Sequence, residues 1–140
     1  MTTWSVTEAL HESRTVRSLE HINVIKVSLT AGNDTSVSDY DLGSASAPVD
    51  KDYWQGSTLY MMKVVPGTAG ATPSGTFDID IEDENDDHLL DTDANANDSN
   101  TLIAGSDTLG LFPPVTRTCS VVCADIGDEN SVDVYLYFWK

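Results

Sequence analysis

The chain has 140 residues and a mass of 15.1 kDa, and its 7 Lys+Arg against 23 Asp+Glu give a formal net charge of -16 and a pI near 4.1. A nucleic-acid binder needs a cationic stripe to displace phosphate counterions and a peripheral membrane protein needs basic residues against anionic lipid, so neither partner is expected. With 40% hydrophobic residues, a chain of this size buries about 68–70% of its unfolded surface in a single domain. No segment approaches the roughly 20 apolar residues of a membrane helix. The opening residues lack a basic region followed by an apolar stretch, which reads as a soluble protein without a signal peptide.

In chain order, residues 1–21 hold two extended-looking pieces, Trp4-Ser5-Val6 and Thr15-Val16-Arg17, and are expected to form a strand or an N-terminal arm outside a domain of residues 22–140. From Ile22 to Thr30, Ile25, Val27 and Leu29 alternate with Lys26 and Ser28, the pattern of a half-buried strand. Ser57 to Val65 is apolar on both faces, with Leu59, Met61 and Val65 opposing Tyr60, Met62 and Val64, which predicts a central or interfacial strand ended by Pro66-Gly67. Strict alternation of Phe77, Ile79 and Ile81 with acidic residues marks another strand. The last run places Val132, Val134, Leu136 and Phe138 on one face and Asp133, Tyr135, Tyr137 and Trp139 on the other. Turn-forming residues from Gly127 to Asn130 separate it from the run Thr116 to Ala124, predicting a terminal hairpin. Long polar stretches, Ala31 to Gly56 and Glu82 to Asn100, exceed the about 12–15 residues usual for structureless loops and point to binding or to ordering against a partner. The expected fold is all-β: an antiparallel β-sandwich or jelly-roll-like barrel with long acidic loops and an N-terminal arm.

Chemistry-bearing motifs are scarce. The histidines His11, His21 and His88 are scattered, and the chain has no nucleophile elbow, phosphate-binding glycine loop or zinc-ligand spacing, so no enzymatic role is expected. Ten acids lie between Asp78 and Asp98 with no Lys or Arg among them. Read as an EF-hand loop, the stretch from Asp91 puts Ala96 where a glycine is needed and Leu102 where a bidentate Glu is needed; calcium could then be held only by another set, Asp83, Asp86 and Asp87. The bland reading is a solvated acidic loop. On one strand Cys119 and Cys123 would lie about 13 Å apart, beyond disulfide reach, so they read as core residues, with a bond to a neighbouring subunit as the alternative. Tyr53 and Trp54 in a loop, and Tyr135, Tyr137 and Trp139 on the last strand, suit a protein or sugar partner if exposed.

One set of segments resembles small structural proteins of tailed bacteriophages. It runs from Ile25-Lys26-Val27-Ser28-Leu29 through Gly56 to Gly67 and Pro73 to Glu84, then Leu89-Leu90-Asp91, residues 94–101, and Val132 to Tyr137. The resemblance implies a β-sandwich virion component such as a capsid decoration or cement protein, made in the host cytoplasm and carried on the capsid surface. Its implied partners are the major capsid protein and copies of itself, a trimer by analogy, with no resident cofactor. The first 26 residues are balanced in charge, so the contact is expected at Trp4, Val6, Leu10, Arg14 and Arg17, joined by Tyr53, Trp54, Tyr135, Tyr137 and Trp139. The alternative is a head- or tail-fibre module that binds host glycans through Tyr53, Trp54 and the acidic loop, with calcium as a possible ligand.

Overall fold

The computed structural model describes residues 4–17, 20–32, 37–66, 76–86, 88–91, 96–97, 102–105, 115, 118–124, 126 and 130–140. Ten strands follow in order: β1 (Ser5–Arg17), β2 (Glu20–Thr30), β3 (Ser38–Asp41), β4 (Thr58–Pro66), β5 (Thr76–Glu82), β6 (His88–Asp91), β7 (Ala96–Asn97), β8 (Leu102–Gly105), β9 (Ser120–Ala124) and β10 (Ser131–Trp139). They form two antiparallel sheets, one ordered β1-β2-β10-β4-β8 and the other β3-β9-β5-β6, with β7 also paired to β5. The inner faces of both sheets supply one continuous core, a β-sandwich. No helix among the described residues is long and apolar enough to cross a membrane.

Alternation builds the core as the pattern implies. Ile25, Val27 and Leu29 from β2, Phe77, Ile79 and Ile81 from β5, and Val132, Val134, Leu136 and Phe138 from β10 are all buried. Burying each such side chain contributes about 1.5–3 kcal/mol, so these positions together supply most of the sandwich's apolar stabilisation. Strand β10 lies between β2 and β4, antiparallel to both. Its ladder with β2 runs on to the paired backbones of His21 and Lys140.

Two expectations change. The expected β9–β10 hairpin does not form: β9 pairs with β3 and β5 in one sheet, and β10 with β2 and β4 in the other. In β4, Tyr137 faces Met61 while Phe138 faces Leu59, leaving Tyr60 as the extra residue of a β-bulge. The bulge shifts the alternation by one, so Leu59, Met62 and Val64 are buried and Met61 moves to the outer face. Of the strand or arm expected before Ile22, the strand forms: β1 pairs with β2 from Ser5↔Thr30 to Arg17↔Glu20.

That strand carries an acid into the sandwich. Glu8 stands opposite the buried Val27 and is itself buried. One carboxylate oxygen accepts from the Tyr40 hydroxyl and from the Gly43 N–H at 2.8 Å, and the other from the Val49 N–H at 3.0 Å. Glu8 therefore ties the edge of the first sheet to β3 and to the segment following it. Burial and the bond to Glu8 push the Tyr40 phenol above its ordinary range, keeping it a neutral donor.

Removing the carboxylate leaves those donors without an acceptor, so Glu8→Ala is expected to cost at least about 3 kcal/mol in urea unfolding, and Tyr40→Phe about 1–1.5 kcal/mol. Deleting Met1 to Arg17 is expected to destabilise the sandwich more than either substitution.

Candidate functional site

The outer face of the first sheet gathers aromatic and basic side chains. Tyr135, in the central strand, stands opposite Lys26 on one side and Lys63 on the other. Their ammonium groups lie 5.9 Å and 5.7 Å from its ring centroid, a cation–π geometry worth about 0.5–1 kcal/mol at an exposed site. His11 meets the same ring edge-on, with centroids 4.9 Å apart. The bulge that puts Met61 on this face also leaves Tyr60 edge-on to Tyr137 at 6.0 Å and to Trp139 at 6.1 Å. Burial is the main cause that raises the Tyr60 and Tyr137 phenols; Glu12 adds to it, and Arg14 opposes it. The face thus presents neutral phenols among fixed positive charges.

Two ion pairs frame it. Arg14 lies 3.3 Å from Glu12, with both side chains well exposed. Lys26 lies 3.4 Å from Asp133, whose side chain is only 1% exposed. Lys26 thus stands against a buried carboxylate, so this lysine serves the fold as well as the face.

The second sheet is the electrical opposite. Because Phe77, Ile79 and Ile81 point inward, Asp78, Asp80 and Glu82 take the outer positions of β5. Across β9, Asp39 and Asp80 flank Val122, while Asp41 and Glu82 flank Ser120, whose hydroxyl donates to Asp41. The strands of this sheet contain no Lys or Arg, whereas Arg14, Arg17, Lys26 and Lys63, four of the chain's seven cations, belong to the first. Partial burial, and after it the neighbouring Asp41 and Asp86, raise the Asp39 carboxyl above its ordinary range.

Of the expected contact residues, Arg14, Tyr135, Tyr137 and Trp139 come together on the first outer face, Trp139 being 42% exposed. Trp4 and Val6 pack against the core, while Leu10 is exposed on β1. Arg17 pairs through its backbone with Glu20, and its side chain lies outside the described residues. Tyr53 is partly exposed on a single 3-10 turn, Lys51–Tyr53, and its carbonyl accepts from Asn23. Trp54 needs correction as a contact residue: it is 4% exposed and part of the core. The turn begins where the Asp50 side chain accepts from the Asp52 N–H, and it swings the indole inward. There Trp54 walls a cleft of about 380 Å³ with Leu42, Pro48, Val49 and Lys51, offering no exposed ring for a sugar to stack on.

Of the acidic residues set aside for calcium, Asp83 and Asp86 lie in a turn. The Asp83 side chain accepts from the Asn85 N–H at 2.8 Å, and its carbonyl from the Asp86 N–H at 3.2 Å. Asp86 adopts a left-handed φ of 61°; Asp87 lies outside the described residues. Among the described residues no group of three or more His, Cys, Asp or Glu is placed to hold a metal. Cys119 and Cys123 are both buried and not bonded to one another. Sequence reasoning missed Lys26, Lys63, Tyr60, Met61 and His11 as members of the face. The two lysines were visible as charges interrupting apolar strands, but their convergence on Tyr135 depends on β10 lying between β2 and β4.

Asp39→Asn is expected to raise the thermal midpoint at neutral pH and low salt, with the gain shrinking in high salt. Because the folded carboxyl titrates above 3.8, wild-type stability should rise as pH falls through the window above that value, and the Asn variant should lose this component. Burial, with a smaller contribution from Asp41, pushes the Cys119 thiol up to about 12. A thiol reagent at pH 8 should therefore leave it unmodified in the native chain and react after unfolding. Compared with known proteins, the chain matches no family model, and no curated protein is significantly similar to it.

Proposed function

We propose that the chain is a structural protein of a bacteriophage virion that decorates the outer capsid surface, docking through the outer face of the β1-β2-β10-β4-β8 sheet. The observation that carries this reading is the separation of charge through the sandwich. Cations and clustered Tyr, Trp and Met side chains occupy one outer face, and Asp39, Asp41, Asp78, Asp80 and Glu82 the other. Aromatic residues, Met and Arg are the types enriched at the centres of protein interfaces. In a chain of net charge -16, this is the outer face of the two described sheets that can approach an acidic protein surface with less repulsion, and approaching it leaves the acidic face outward. The resemblance to small phage structural proteins supplies the setting.

The mechanism is adhesion without bond chemistry. Each copy that bridges neighbouring capsid subunits adds interface free energy, which opposes the outward pressure of packaged DNA. Proposed contacts are Arg14, Tyr60, Lys63, Tyr137 and Trp139, so the binding surface is the sheet face and not a free arm.

Mass spectrometry of purified particles should find the chain in many copies. In co-sedimentation with particles stripped of it, Trp139→Ala and Lys63→Glu should each weaken binding by about 10- to 30-fold, while Asp80→Asn on the opposite face leaves it unchanged. Absence from particles, or full binding by both face variants, contradicts the proposal.

A further inference from the structure

Among the described residues each sheet ends in edge strands, and three of the four are short. Strands β3, β6 and β8 have four residues each, whereas β1 has thirteen. Short edges are one way in which proteins avoid strand-to-strand association. Among the described residues β1 pairs only with β2, so its other edge presents a long row of backbone donors and acceptors.

The charges along β1 are ordered. Glu8 and Glu12 precede Ser13, and Arg14 and Arg17 follow it. A parallel copy would align like charges, whereas an antiparallel copy reverses the order and brings acid to base. Glu8 is engaged inside the sandwich, but Glu12 and Arg14 are exposed on this edge. They also lie in the regular stretch between the two bulges of β1, where Glu12 to Thr15 pairs without interruption.

We propose that β1 pairs antiparallel with β1 of a second copy about a two-fold axis at Ser13, joining the two first sheets into one continuous sheet. Glu12 then faces Arg14 of the partner subunit, and Arg14 faces Glu12 of the partner subunit, as a self-complementary contact requires. Electrostatics selects the same place, because β1 belongs to the sheet that holds four of the seven cations; the second sheet would set acid against acid. An axis perpendicular to the sheet keeps both aromatic faces on the same side. The dimer is then bivalent toward any surface that the face recognises. The pairing does not depend on what that surface is, and the trimer implied by the resemblance would leave this edge open.

Cysteine placed at the axis tests the register in the full chain. Residues directly opposite in an antiparallel pair have Cα atoms about 4.5–5.5 Å apart, within disulfide range, so mild oxidation should convert Ser13→Cys to a covalent dimer. Thr15→Cys, two positions from the axis, stands about 13 Å from its own copy and should not cross-link. Light scattering should report twice the chain mass for the wild type, the monomer mass for Arg14→Glu, and the dimer again for Glu12→Arg combined with Arg14→Glu. The charge swap decides the matter even if Ser13→Cys, which loses the hydroxyl bond to Asn23, fails to fold. A wild type that stays monomeric or is trimeric, equal cross-linking at positions 13 and 15, or a swap that does not restore the dimer overturns the proposal. A Trp139→Ala variant that remains dimeric but no longer sediments with particles would separate this pairing from docking.

Discussion

The position of β10 between β2 and β4 is the constraint on which both sides of the first sheet depend. A strand paired on both edges must satisfy two registers at once, and its nine residues send alternate side chains to the core and to the outer face. The core set closes the sandwich. The outer set receives a lysine on either side of Tyr135 because both registers place one there. A one-residue slip of either neighbour would turn its core residues toward solvent and break up the aromatic cluster in the same movement. Packing energy thereby holds the geometry of the outer surface.

Charge is organised by the same division into layers. The acidic alternation of β5 has to face outward because Phe77, Ile79 and Ile81 face inward, and β3 and β9 extend that face without adding a cation. Crowding is visible at Asp39 and is tolerated on a solvated surface, where water and salt screen it. The first sheet carries its acids differently. Glu8 is turned inward to hold the segment after β3, Asp133 is matched by Lys26, and Glu12 by Arg14. Among the described strands the uncompensated acids therefore lie on the second sheet, and those of the first are engaged by neighbours.

Where alternation is strict, structure was legible from the residues: the alternating apolar residues Ile25, Val27 and Leu29 of β2, Phe77, Ile79 and Ile81 of β5, and Val132, Val134, Leu136 and Phe138 of β10 are all buried. Strand β4 was recognisable as a strand but not in phase, since a bulge at Tyr60 has no signature in a run that is apolar on both faces. Turn chemistry before β10 was read as a hairpin because a tight turn and a crossover between sheets use the same residues; only long-range pairing distinguishes them. Trp54 looked exposed because its neighbours are polar, yet a 3-10 turn capped by Asp50 reverses its direction. Part of the face, Arg14, Tyr135, Tyr137 and Trp139, could be named in advance. The lysines could not be, because cross-strand neighbours are set by sheet order and not by local pattern.

The outer aromatic face gives the account its functional content, since it unites the charge separation, the bulge in β4 and the order of the strands. Covalent footprinting of tyrosine, tryptophan and carboxylate side chains, on the free chain and on the chain bound to capsids, tests it most directly. The account predicts that Tyr60, Tyr137 and Trp139 become protected on binding while Asp39, Asp78, Asp80 and Glu82 stay as reactive as in the free chain. Protection of the acidic carboxylates with the aromatic residues still labelled would contradict it.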